Sequence, residues 1–406
     1  MNKKPLKKSY IFQLLKTLKK IKLGDEILPL ENSKGRFLSK SITSKINLPP
    51  FNNSAVDGYA LVKNDIIKKN QKLKIIHRIA AGDKISKKLL NGSVARIFTG
   101  AKMPINSKTV IMQENVQKIN DEILIKKIPK YGENCRLSGE DILKGKKILY
   151  KGERVTSNNI NLIAAIGRKN VLVKKKINIG FFTNGNELIE PTENLRGSQI
   201  NNSNFYSIND LLDEPYINKK YLGVLHDTEH LIKKSILNNI LKFNVIITAG
   251  GASVGEEDHL IKIIQKVGKI YFWKTAIKPG RPLAIGKIKN TIIVCLPGNP
   301  VSVHLLYGMI IKPFIKYLCT GILVLPRGQK LKANFSMKKK NKRLEWIRVN
   351  IKEKNSNLIA NKFSKQGSGM ISSMAFSDGI LEIPENVNFI SKGDEFFYYS
   401  FKKLFE

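Results

Sequence analysis

Cysteine, tryptophan and histidine are scarce in this chain, and the few cysteines limit the kinds of structural site that it can contain. The 406 residues include three cysteines, two tryptophans and five histidines. Cys135, Cys295 and Cys319 are far apart and form no Cys-x-x-Cys pair, so neither a disulfide framework nor a structural zinc site is expected. Three reduced and mostly buried thiols are typical of a reducing compartment.

Long apolar runs are also lacking. No run of about 18 apolar residues occurs, so we expect no transmembrane helix and no membrane partner. The nearest candidate, 301–311, ends at Lys312. Near the N-terminus, lysines interrupt the apolar positions that a signal peptide would need. Five apolar residues recur there at helical spacing instead, which predicts an amphipathic helix packed on a cytoplasmic protein: Ile11, Leu14, Leu15, Leu18 and Ile21.

Acidic residues are few, since 71 basic residues face 32 acidic ones and the net charge is +39. Such an excess can indicate nucleic-acid binding. Here most of it is lysine and is spread over the whole length, and isoleucine and asparagine are abundant as well. Codons rich in A and T encode all three residue types, so a compositional bias explains the charge better. We expect no specific nucleic-acid partner, and a basic nucleic-acid binder is kept as an alternative.

The length allows two to four domains, and the pattern changes along the chain. Short apolar runs separated by glycine, asparagine and lysine predict a β-rich module over 60–130. A helix is predicted over 155–167, with Thr156 or Ser157 as its N-cap. After Pro326 the chain turns β-rich again, which predicts a small C-terminal β domain.

Between these regions, from Lys176 onwards, buried strands alternate with helices, which predicts a doubly wound α/β domain whose ligands bind at the carboxyl ends of the strands. The predicted strands are 177–182, 221–225, 245–248, 269–273 and 291–296. The predicted helices are 205–212, 229–241, one that follows Asp258 and a long one from Pro300.

Three segments in the first half of the chain could carry chemistry. Residues 49–60 read PPFNNSAVDGYA and place Asp57 in a tight polar turn among small residues. Residues 96–101 (RIFTGA) contain Thr99, and 136–141 (RLSGED) place Arg136 near Asp141. Each segment also has a purely structural interpretation. The first can be an ordinary turn, the second the end of a strand, and the third a salt bridge at a domain boundary.

Two loops of the α/β domain combine glycine with carboxylates at strand ends. Residues 183–188 (TNGNEL) carry Glu187. Residues 248–258 (TAGGASVGEED) could cradle a phosphate or pterin edge with the backbone N–H groups of the turn, and Asp258 could hold a divalent cation. The candidates in this second loop are Gly250, Gly251, Ser253 and Asp258. The GxGxxG spacing of dinucleotide sites is absent.

Cations and a helix start mark two further loops. Residues 273–282 (WKTAIKPGRP) hold Lys274, Lys278 and Arg281 near stiffening prolines, as an oxyanion site requires. In 296–302 (LPGNPVS), the asparagine can cap a helix whose free N–H groups face the strand ends. The candidates there are Pro297, Asn299 and Pro300. Ser368 in 366–370 (QGSGM) is a weaker candidate, with Arg343 and Arg348 upstream.

Taken in order, these segments resemble the MoeA family of molybdopterin molybdenumtransferases and the matching domain of gephyrin. The resemblance covers about 28–384, and four segments carry it: 49–60, 250–258, 278–282 and 296–302. It implies functional positions at Asp57, Thr99, Arg136, Asp141, Glu187, Asp227, Asp258, Lys274, Lys278, Pro297, Pro300 and Ser368. Asp227 is found only through the resemblance.

The resemblance also implies a fold and an assembly. Four domains are expected in an elongated homodimer, with an α/β domain like that of MogA at the centre, β-rich flanking domains and a small C-terminal β domain. Domain I comprises 1–27 and 142–175, domain II 28–141, domain III 176–325 and domain IV 326–406. Asp57 and Thr99 are expected to reach the cleft of the partner subunit.

The implied reaction inserts molybdate into adenylated molybdopterin and releases AMP. Mg²⁺ is the expected cofactor, with Glu187, Asp227 and Asp258 as ligands, and a MogA-like adenylating enzyme is the expected delivery partner. Two departures from the family pattern, at Asn52 and in 183–186, remove potential anions. The alternatives are the preceding step, in which molybdopterin is adenylated, and a non-enzymatic scaffold.

Overall fold

The computed structural model describes residues 5–63, 65–84, 88–226, 228–251, 259–354 and 356–405. Its contacts divide the chain into two compact units. The small unit comprises 28–34 and 40–171, and the large unit comprises 1–27, 35–39 and 172–406. Each predicted site residue can therefore be assigned to one unit.

The chain begins with helix α1 (Lys8–Thr17), followed by strand β1 (Asp25–Pro29). Ile11 and Leu15, one helical turn apart, are fully buried in the largest apolar core of the large unit. The predicted amphipathic N-terminal helix is therefore confirmed, although it is shorter than the apolar pattern suggests.

The small unit is built mainly of strands. Two 3-10 turns lie at Leu30–Asn32 and Gln113–Asn115. The strands and the helix are β2 (Ile42–Thr43), β3 (Asn53–Ser54), β4 (Gly58–Val62), β5 (Lys72–Ile79), β6 (Ser93–Ile97), β7 (Ser107–Met112), β8 (Val116–Ile119), β9 (Glu122–Ile125), β10 (Cys135–Arg136), β11 (Lys147–Leu149) and α2 (Ser157–Ala165). Strand β12 (Asn170–Lys174) begins in the small unit, and its last three residues belong to the large unit.

Six of these strands form one sheet in the order β7-β4-β6-β5-β9-β8. Successive side chains of a strand point to opposite faces, and each face of this sheet has its own apolar cluster. Ala60 and Val110 belong to one cluster, whereas Tyr59 and Ile111 belong to the other. The predicted β-rich module is confirmed.

Helix α2 begins with a capping box. The Thr156 N–H donates to Asn159 Oδ1 at 2.6 Å, and the Thr156 side chain accepts from the Asn159 N–H in return. These bonds satisfy groups that a helix start otherwise leaves free. The predicted helix is confirmed, and of its two candidate N-caps, Thr156 and Ser157, the structure has Thr156.

The first part of the large unit alternates strands and helices. Its elements are β13 (Ile177–Asn184), β14 (Leu188–Ile189), β15 (Ile200–Asn201), α3 (Ser203–Leu211), β16 (Ile217–Leu225), α4 (Glu229–Leu237), β17 (Val245–Ala249), α5 (His259–Val267), β18 (Lys269–Trp273), β19 (Ile277–Lys278), β20 (Ala284–Ile288), β21 (Thr291–Leu296), α6 (Pro300–Leu306) and α7 (Lys312–Thr320).

The central sheet of this region has the order β16-β13-β17-β21-β20-β18. The pairs from β16 to β21 are parallel, whereas β20 runs antiparallel to both of its neighbours. One core packs Ile208 of α3 and Leu305 of α6 with Val294 of β21. A second core packs Ile236 of α4 and Ile263 of α5 with strands of the same sheet. Helices cover both faces, so the doubly wound α/β prediction is confirmed.

Helices α6 and α7 are joined by a π-helical turn, Tyr307–Ile311, into one helical segment over 300–320. Among the described residues, this segment alone is long and apolar enough to cross a membrane, and 89% of its apolar window is buried inside the protein. Its apolar side chains therefore belong to the core of the large unit.

The C-terminal part of the large unit is a closed β structure. Its elements are β22 (Gln329–Ala333), β23 (Met337–Lys338), β24 (Leu344–Lys354), β25 (Asn357–Lys362), α8 (Ser372–Ala375), β26 (Gly379–Ile383), β27 (Phe389–Ile390), β28 (Glu395–Ser400) and α9 (Phe401–Phe405). The sheet order β24-β25-β22-β28-β26 closes on itself through pairing of β24 with β26. The predicted small C-terminal β domain is confirmed.

Candidate functional site

Three parallel strands of the central sheet end side by side, at Asn184, Ala249 and Leu296. The loops that follow them are in contact. The Gly250 N–H donates to the Leu296 carbonyl at 3.1 Å, and a Cβ placed on Gly250 would lie 2.6 Å from the Asn184 carbonyl oxygen. The carboxyl edge of the sheet is thus a tight junction of loops, as the predicted ligand site requires.

Two glycines make this junction possible. Gly250 and Gly251 have φ of +101° and +70°, values that side-chain-bearing residues rarely adopt. A Cβ on Gly251 would lie 2.9 Å from the Asn184 side-chain nitrogen. No side chain therefore separates the loop backbone from its surroundings at this point. Ser253 lies beyond this turn, outside the described residues.

The predicted metal ligands are only partly within the described chain. Glu187 is exposed in the loop after β13, and its carboxylate lies over Gly185. Asp227 and Asp258 lie outside the described residues. Among the residues described, no group of three or more His, Cys, Asp or Glu side chains could hold a metal ion. The described residues alone therefore do not form a magnesium site.

The cationic loop after β18 is held in shape by its own backbone. The Thr275 N–H donates to the Arg281 carbonyl at 2.8 Å, and the Thr275 hydroxyl donates to the Gly280 carbonyl at 2.9 Å. Gly280 has φ of +121°, and a Cβ there would lie 2.8 Å from Leu306. The loop therefore fits closely against helix α6, and a glycine is required where it turns.

A cavity of about 250 Å³ opens beside this loop. Five of the predicted binding residues line it: Lys278, Arg281, Pro297, Asn299 and Ser368. Its remaining walls come from the cationic loop, helix α6 and the C-terminal β structure: Pro279, Gly280, Pro282, Ser302, Arg343, Glu345, Trp346, Arg348 and Gln366. Short parallel pairing of β19 with β24 brings the two regions together, with Ile277 opposite Leu344 and Lys278 opposite Glu345.

Two predicted residues of the same segments do not line this cavity. The Lys274 ammonium lies 4.2 Å from the centroid of the Trp273 ring, a cation–π contact. Pro300 occupies the first turn of α6, as expected for a proline. Asn299 is at the N-cap position, but its side chain makes no capping hydrogen bond and instead lines the cavity.

Positive charge dominates the cavity wall. Four of its lining residues are cationic and one, Glu345, is a carboxylate. Lys278 Nζ lies 2.8 Å from Glu345 Oε1, so that carboxylate is already paired. The remaining cations are Arg281, Arg343 and Arg348. A cleft with such an excess of one charge concentrates its field on an anionic ligand.

Arg348 of β24 and Arg343, which directly precedes that strand, differ in what their guanidinium groups contact. Arg348 is buried and donates to the Ser373 hydroxyl at 3.1 Å and to the Gly367 carbonyl at 3.0 Å. Burial lowers the pKa of Arg348 to about 10, against the opposing effect of Glu345. Its hydrogen bonds fix the loop that carries Ser368, so Arg348 is a positioning residue.

Arg343 is the freer of the two arginines. Among the described residues its guanidinium has no hydrogen bond or ion pair, and the same is true of Arg281. Burial, together with the charge of Arg281, lowers the pKa of Arg343, while Glu345 raises it. Two unpaired guanidinium groups that repel each other across a cavity are well suited to share an anion.

In the small unit, two of the predicted residues are in direct contact. Asp57 Oδ1 accepts hydrogen bonds from the Thr99 N–H and the Thr99 hydroxyl, both at 2.8 Å. The other two, Arg136 on β10 and Asp141 in the loop that follows, are both exposed. The two hydrogen bonds between Thr99 and Asp57 link the polar turn at Asp57 to the loop after β6.

Comparison with known proteins decides the family. The MoeA N-terminal region (domains I and II) matches 9–167, a probable molybdopterin-binding domain matches 180–317, and the MoeA C-terminal region (domain IV) matches 330–401. A molybdopterin molybdenumtransferase of Haemophilus influenzae is 35% identical over 294 residues, 72% of each chain. The chain belongs to the MoeA family.

Other relatives extend the MoeA match along the chain. A putative molybdopterin biosynthesis protein of Methanocaldococcus jannaschii is 30% identical over 385 residues, covering 93% of this chain and 91% of that one. The crystal structure of a molybdopterin biosynthesis MoeA protein from Pyrococcus horikoshii superposes with a TM-score of 0.83 at 27% identity, covering 98% of this chain and 100% of that one. The whole described fold is thus that of MoeA.

Sequence reasoning did not find the cavity wall that the C-terminal β structure supplies to this MoeA chain. Glu345, Trp346 and Gln366 carry no local motif, and their place depends on the pairing of β19 with β24, far apart in sequence. The one signal was the arginine pair at 343 and 348, whose roles the sequence left open. The structure assigns them different contacts.

The contact between Asp57 and Thr99 leads to a pH prediction. The Thr99 N–H and then its hydroxyl, with a smaller effect of Arg96, hold the pKa of Asp57 below its ordinary value of 3.8. A lowered carboxyl pKa stabilises the fold above the pKa of the unfolded chain, and this contribution is lost as pH falls through the folded value. We expect Thr99→Val to raise the pKa of Asp57 partway, because the backbone donor remains.

Carbon-detected NMR of the Asp57 carboxyl from about pH 2 to about pH 6, the range in which aspartate titrates, measures this change. Thr109→Val is a matched control, because the Thr109 hydroxyl accepts from the Gly132 N–H and does not contact Asp57. An unchanged Asp57 pKa in Thr99→Val would refute the role of the hydroxyl.

Proposed function

We propose that this chain is a molybdopterin molybdenumtransferase, which inserts molybdate into adenylated molybdopterin and releases AMP. The observation that carries the proposal is the cavity with four cationic residues at the carboxyl edge of an α/β sheet. The name of the relative in Haemophilus influenzae supports the same activity, and that of the relative in Methanocaldococcus jannaschii supports a place in molybdopterin biosynthesis.

Molybdate is a tetrahedral dianion, and the cavity offers donors of a matching kind. Arginine presents several N–H groups in a planar fork that suits oxyanions, and lysine adds a point charge. We assign molybdate to Lys278, Arg281 and Arg343, with Ser368 and the start of helix α6 as further parts of the lining. The buried Arg348 holds the loop of Ser368 in place.

Adenylated molybdopterin needs a second region that accepts a phosphoanhydride. The turn at Gly250 and Gly251 has no side chain to keep a ligand away, and it lies beside the loops of Asn184 and Gly298. Backbone N–H groups in such turns bind phosphate oxygens. We therefore place the phosphoanhydride at this turn, with Ser253 as a further candidate donor.

The reaction then couples two changes. Both dithiolene sulfurs form bonds to molybdenum, and a molybdate oxygen leaves as water with the two thiol protons. Water adds to phosphorus, the phosphoanhydride bond breaks, and AMP departs. Lys278, Arg281 and Arg343 contribute by orienting the oxyanion and by stabilising the negative charge that its oxygens carry throughout.

Mg²⁺ would stabilise charge on the phosphates if Glu187, Asp227 and Asp258 hold it. We propose these ligands on the family resemblance, together with Lys274 and Pro300 as residues near the oxyanion. Since the described residues do not by themselves form a metal site, no step above depends on the ion.

The assembly is also a proposal. We propose a cytoplasmic homodimer with four domains at the boundaries predicted from the sequence, in which Asp57, Thr99, Arg136 and Asp141 serve the reaction. A MogA-like adenylating enzyme would supply the adenylated substrate.

The test is AMP release by the full chain from adenylated molybdopterin, with and without molybdate. We expect AMP release by the wild-type protein to require molybdate. In Asp258→Ala it is expected to fall by about 100-fold or more, with accumulation of the adenylated substrate, because charge stabilisation on the phosphate is lost. Asp213→Ala, which alters an exposed carboxylate paired with Lys219, is the control.

Two results would contradict the proposal, the first its assignment of Asp258 and the second its reaction. Normal AMP release by Asp258→Ala would exclude the carboxylate from the reaction. Consumption of ATP and molybdopterin without any need for molybdate would show the adenylation step instead.

A further inference from the structure

A second cavity lies in the small unit, and the proposed reaction does not use it. It has a volume of about 570 Å³ and opens on one face of the six-stranded sheet. Pockets that hold small ligands have volumes of about 300 to 1,000 Å³. Its lining residues are Tyr59, Ile75, Arg78, Arg96, Phe98, Gln113, Val116, Lys118 and Asp121.

Strand register places aromatic and cationic side chains together on this face. Arg96 of β6 lies opposite Tyr59 of β4 on one side and opposite Arg78 of β5 on the other. Phe98 directly follows β6, and its ring lies against the Arg96 guanidinium on this face. The strand register therefore determines which side chains form the floor of the cavity.

These side chains stack in an alternating order. The Arg78 guanidinium carbon lies 4.6 Å from the Phe98 ring centroid, and that of Arg96 lies 4.7 Å from the same ring and 5.1 Å from the ring of Tyr59. Arg96 also donates to Gln113 Oε1 at 2.6 Å. The guanidinium planes are thus oriented before any ligand binds, which lowers the entropic cost of binding.

In the described part of the chain, no cation of this cavity forms an ion pair with a carboxylate. Among the described residues, neither Arg78 nor Lys118 has a side-chain hydrogen bond or ion pair, and Asp121 is the one carboxylate of the lining. Like charges directly opposite on neighbouring strands, as in Arg78 and Arg96, destabilise a sheet unless something compensates them. A bound anion would supply that compensation.

The choice of arginine is informative in a chain so rich in lysine. Of the 71 basic residues, 11 are arginine. Two of them line this cavity and three line the molybdate cavity. Lysine supplies charge equally well, but arginine alone of the two offers a planar surface on which an aromatic ring can stack.

We propose that this cavity binds a phosphorylated heteroaromatic ligand, such as a purine nucleotide or a pterin phosphate. The planar ring stacks against the guanidinium of Arg78, and the phosphate accepts hydrogen bonds from Arg96 and Lys118. Arginine planes stack on nucleobases in the same way in proteins that bind single-stranded nucleic acids. The proposal rests on the small unit alone and does not depend on the proposed transferase activity.

The experiment is a titration of the full chain, labelled with ¹³C on isoleucine methyl groups, with AMP, adenosine and inorganic phosphate. Ile75 lines the cavity, and its methyl signal is assigned with Ile75→Val. Both tryptophans, Trp273 and Trp346, belong to the large unit, so their fluorescence reports separately on binding there. We expect AMP to shift the Ile75 signal saturably, and to bind at least about tenfold more tightly than adenosine or phosphate alone.

Variants of Arg78 test whether the ring of the ligand stacks on its guanidinium group. Arg78→Gln and Arg78→Lys are both expected to weaken AMP binding at this signal by about tenfold or more, because neither presents a guanidinium plane. Lys126→Ala removes an exposed lysine of the same unit outside the lining and is expected to change nothing. The unchanged signals of other isoleucines verify that each variant is folded.

Three results would overturn the proposal. The Ile75 signal responds to neither AMP nor a pterin phosphate, it responds equally to inorganic phosphate, or Arg78→Lys binds the ligand as tightly as the wild type. A response to pterin phosphate but not to AMP would support the site and identify its ring. Failure of the AMP-release assay together with a shifted Ile75 signal would refute the transferase proposal and leave this one standing.

Discussion

The double variant Arg281→Gln, Arg343→Gln is expected to bind molybdate at least about 100-fold more weakly than the wild type, since each charged hydrogen bond contributes about 1.5 to 3 kcal/mol. Both guanidinium groups line the cavity without a partner among the described residues, so their substitution leaves no buried carboxylate unpaired. Calorimetric titration of molybdate into the full chain at fixed ionic strength measures the loss.

A matched control separates local contacts from overall charge. Arg327→Gln removes one positive charge from an exposed position of the same unit, outside the cavity lining. In a chain with a net charge of +39, it is expected to leave molybdate affinity nearly unchanged. A threefold difference in affinity is too small for the loss of two charged contacts. If the double variant binds molybdate within about threefold of the wild type, the oxyanion binds elsewhere.

Local patterns were sufficient to predict most of the central sheet. Strands β18 and β21 have the predicted bounds, 269–273 and 291–296, because each is a short apolar run bounded by polar or turn residues. Strand β20 was missed because Gly286 interrupts its pattern. A Cβ at Gly286 would lie 2.8 Å from Ile264 of α5, so the glycine reflects helix packing that no local pattern reveals.

The same distinction applies to the molybdate cavity. Lys278, Arg281, Pro297 and Asn299 stand in motifs that the chain shows locally, because loops at the ends of parallel strands meet at one edge of the sheet. Glu345 could not be predicted, since its place depends on pairing between residues 67 positions apart. The charge balance of the cavity is therefore a property of the tertiary structure.

That charge balance leads to a prediction on Lys278 and Glu345. Lys278→Met removes one cation and releases the charge of Glu345, which is 7% exposed, toward the cavity. We expect molybdate affinity to fall by about 30-fold, more than a single surface charge accounts for. Glu345→Gln frees Lys278 and removes the one carboxylate of the described lining, so molybdate is expected to bind about threefold more tightly or better.

The double variant Lys278→Met, Glu345→Gln completes a double-mutant cycle for this pair. Because Lys278→Met is harmful partly through the unpaired Glu345, adding Glu345→Gln is expected to recover about tenfold of the lost affinity. The same change gains about threefold in the wild type, so the coupling between the two side chains is about 0.7 kcal/mol. Urea unfolding of all four proteins checks that the changes in affinity do not come from loss of the fold. Strictly additive effects on molybdate affinity would show that the two side chains are not coupled at the anion, and an unchanged affinity in Glu345→Gln would show that their pairing only joins the α/β domain to the C-terminal β structure.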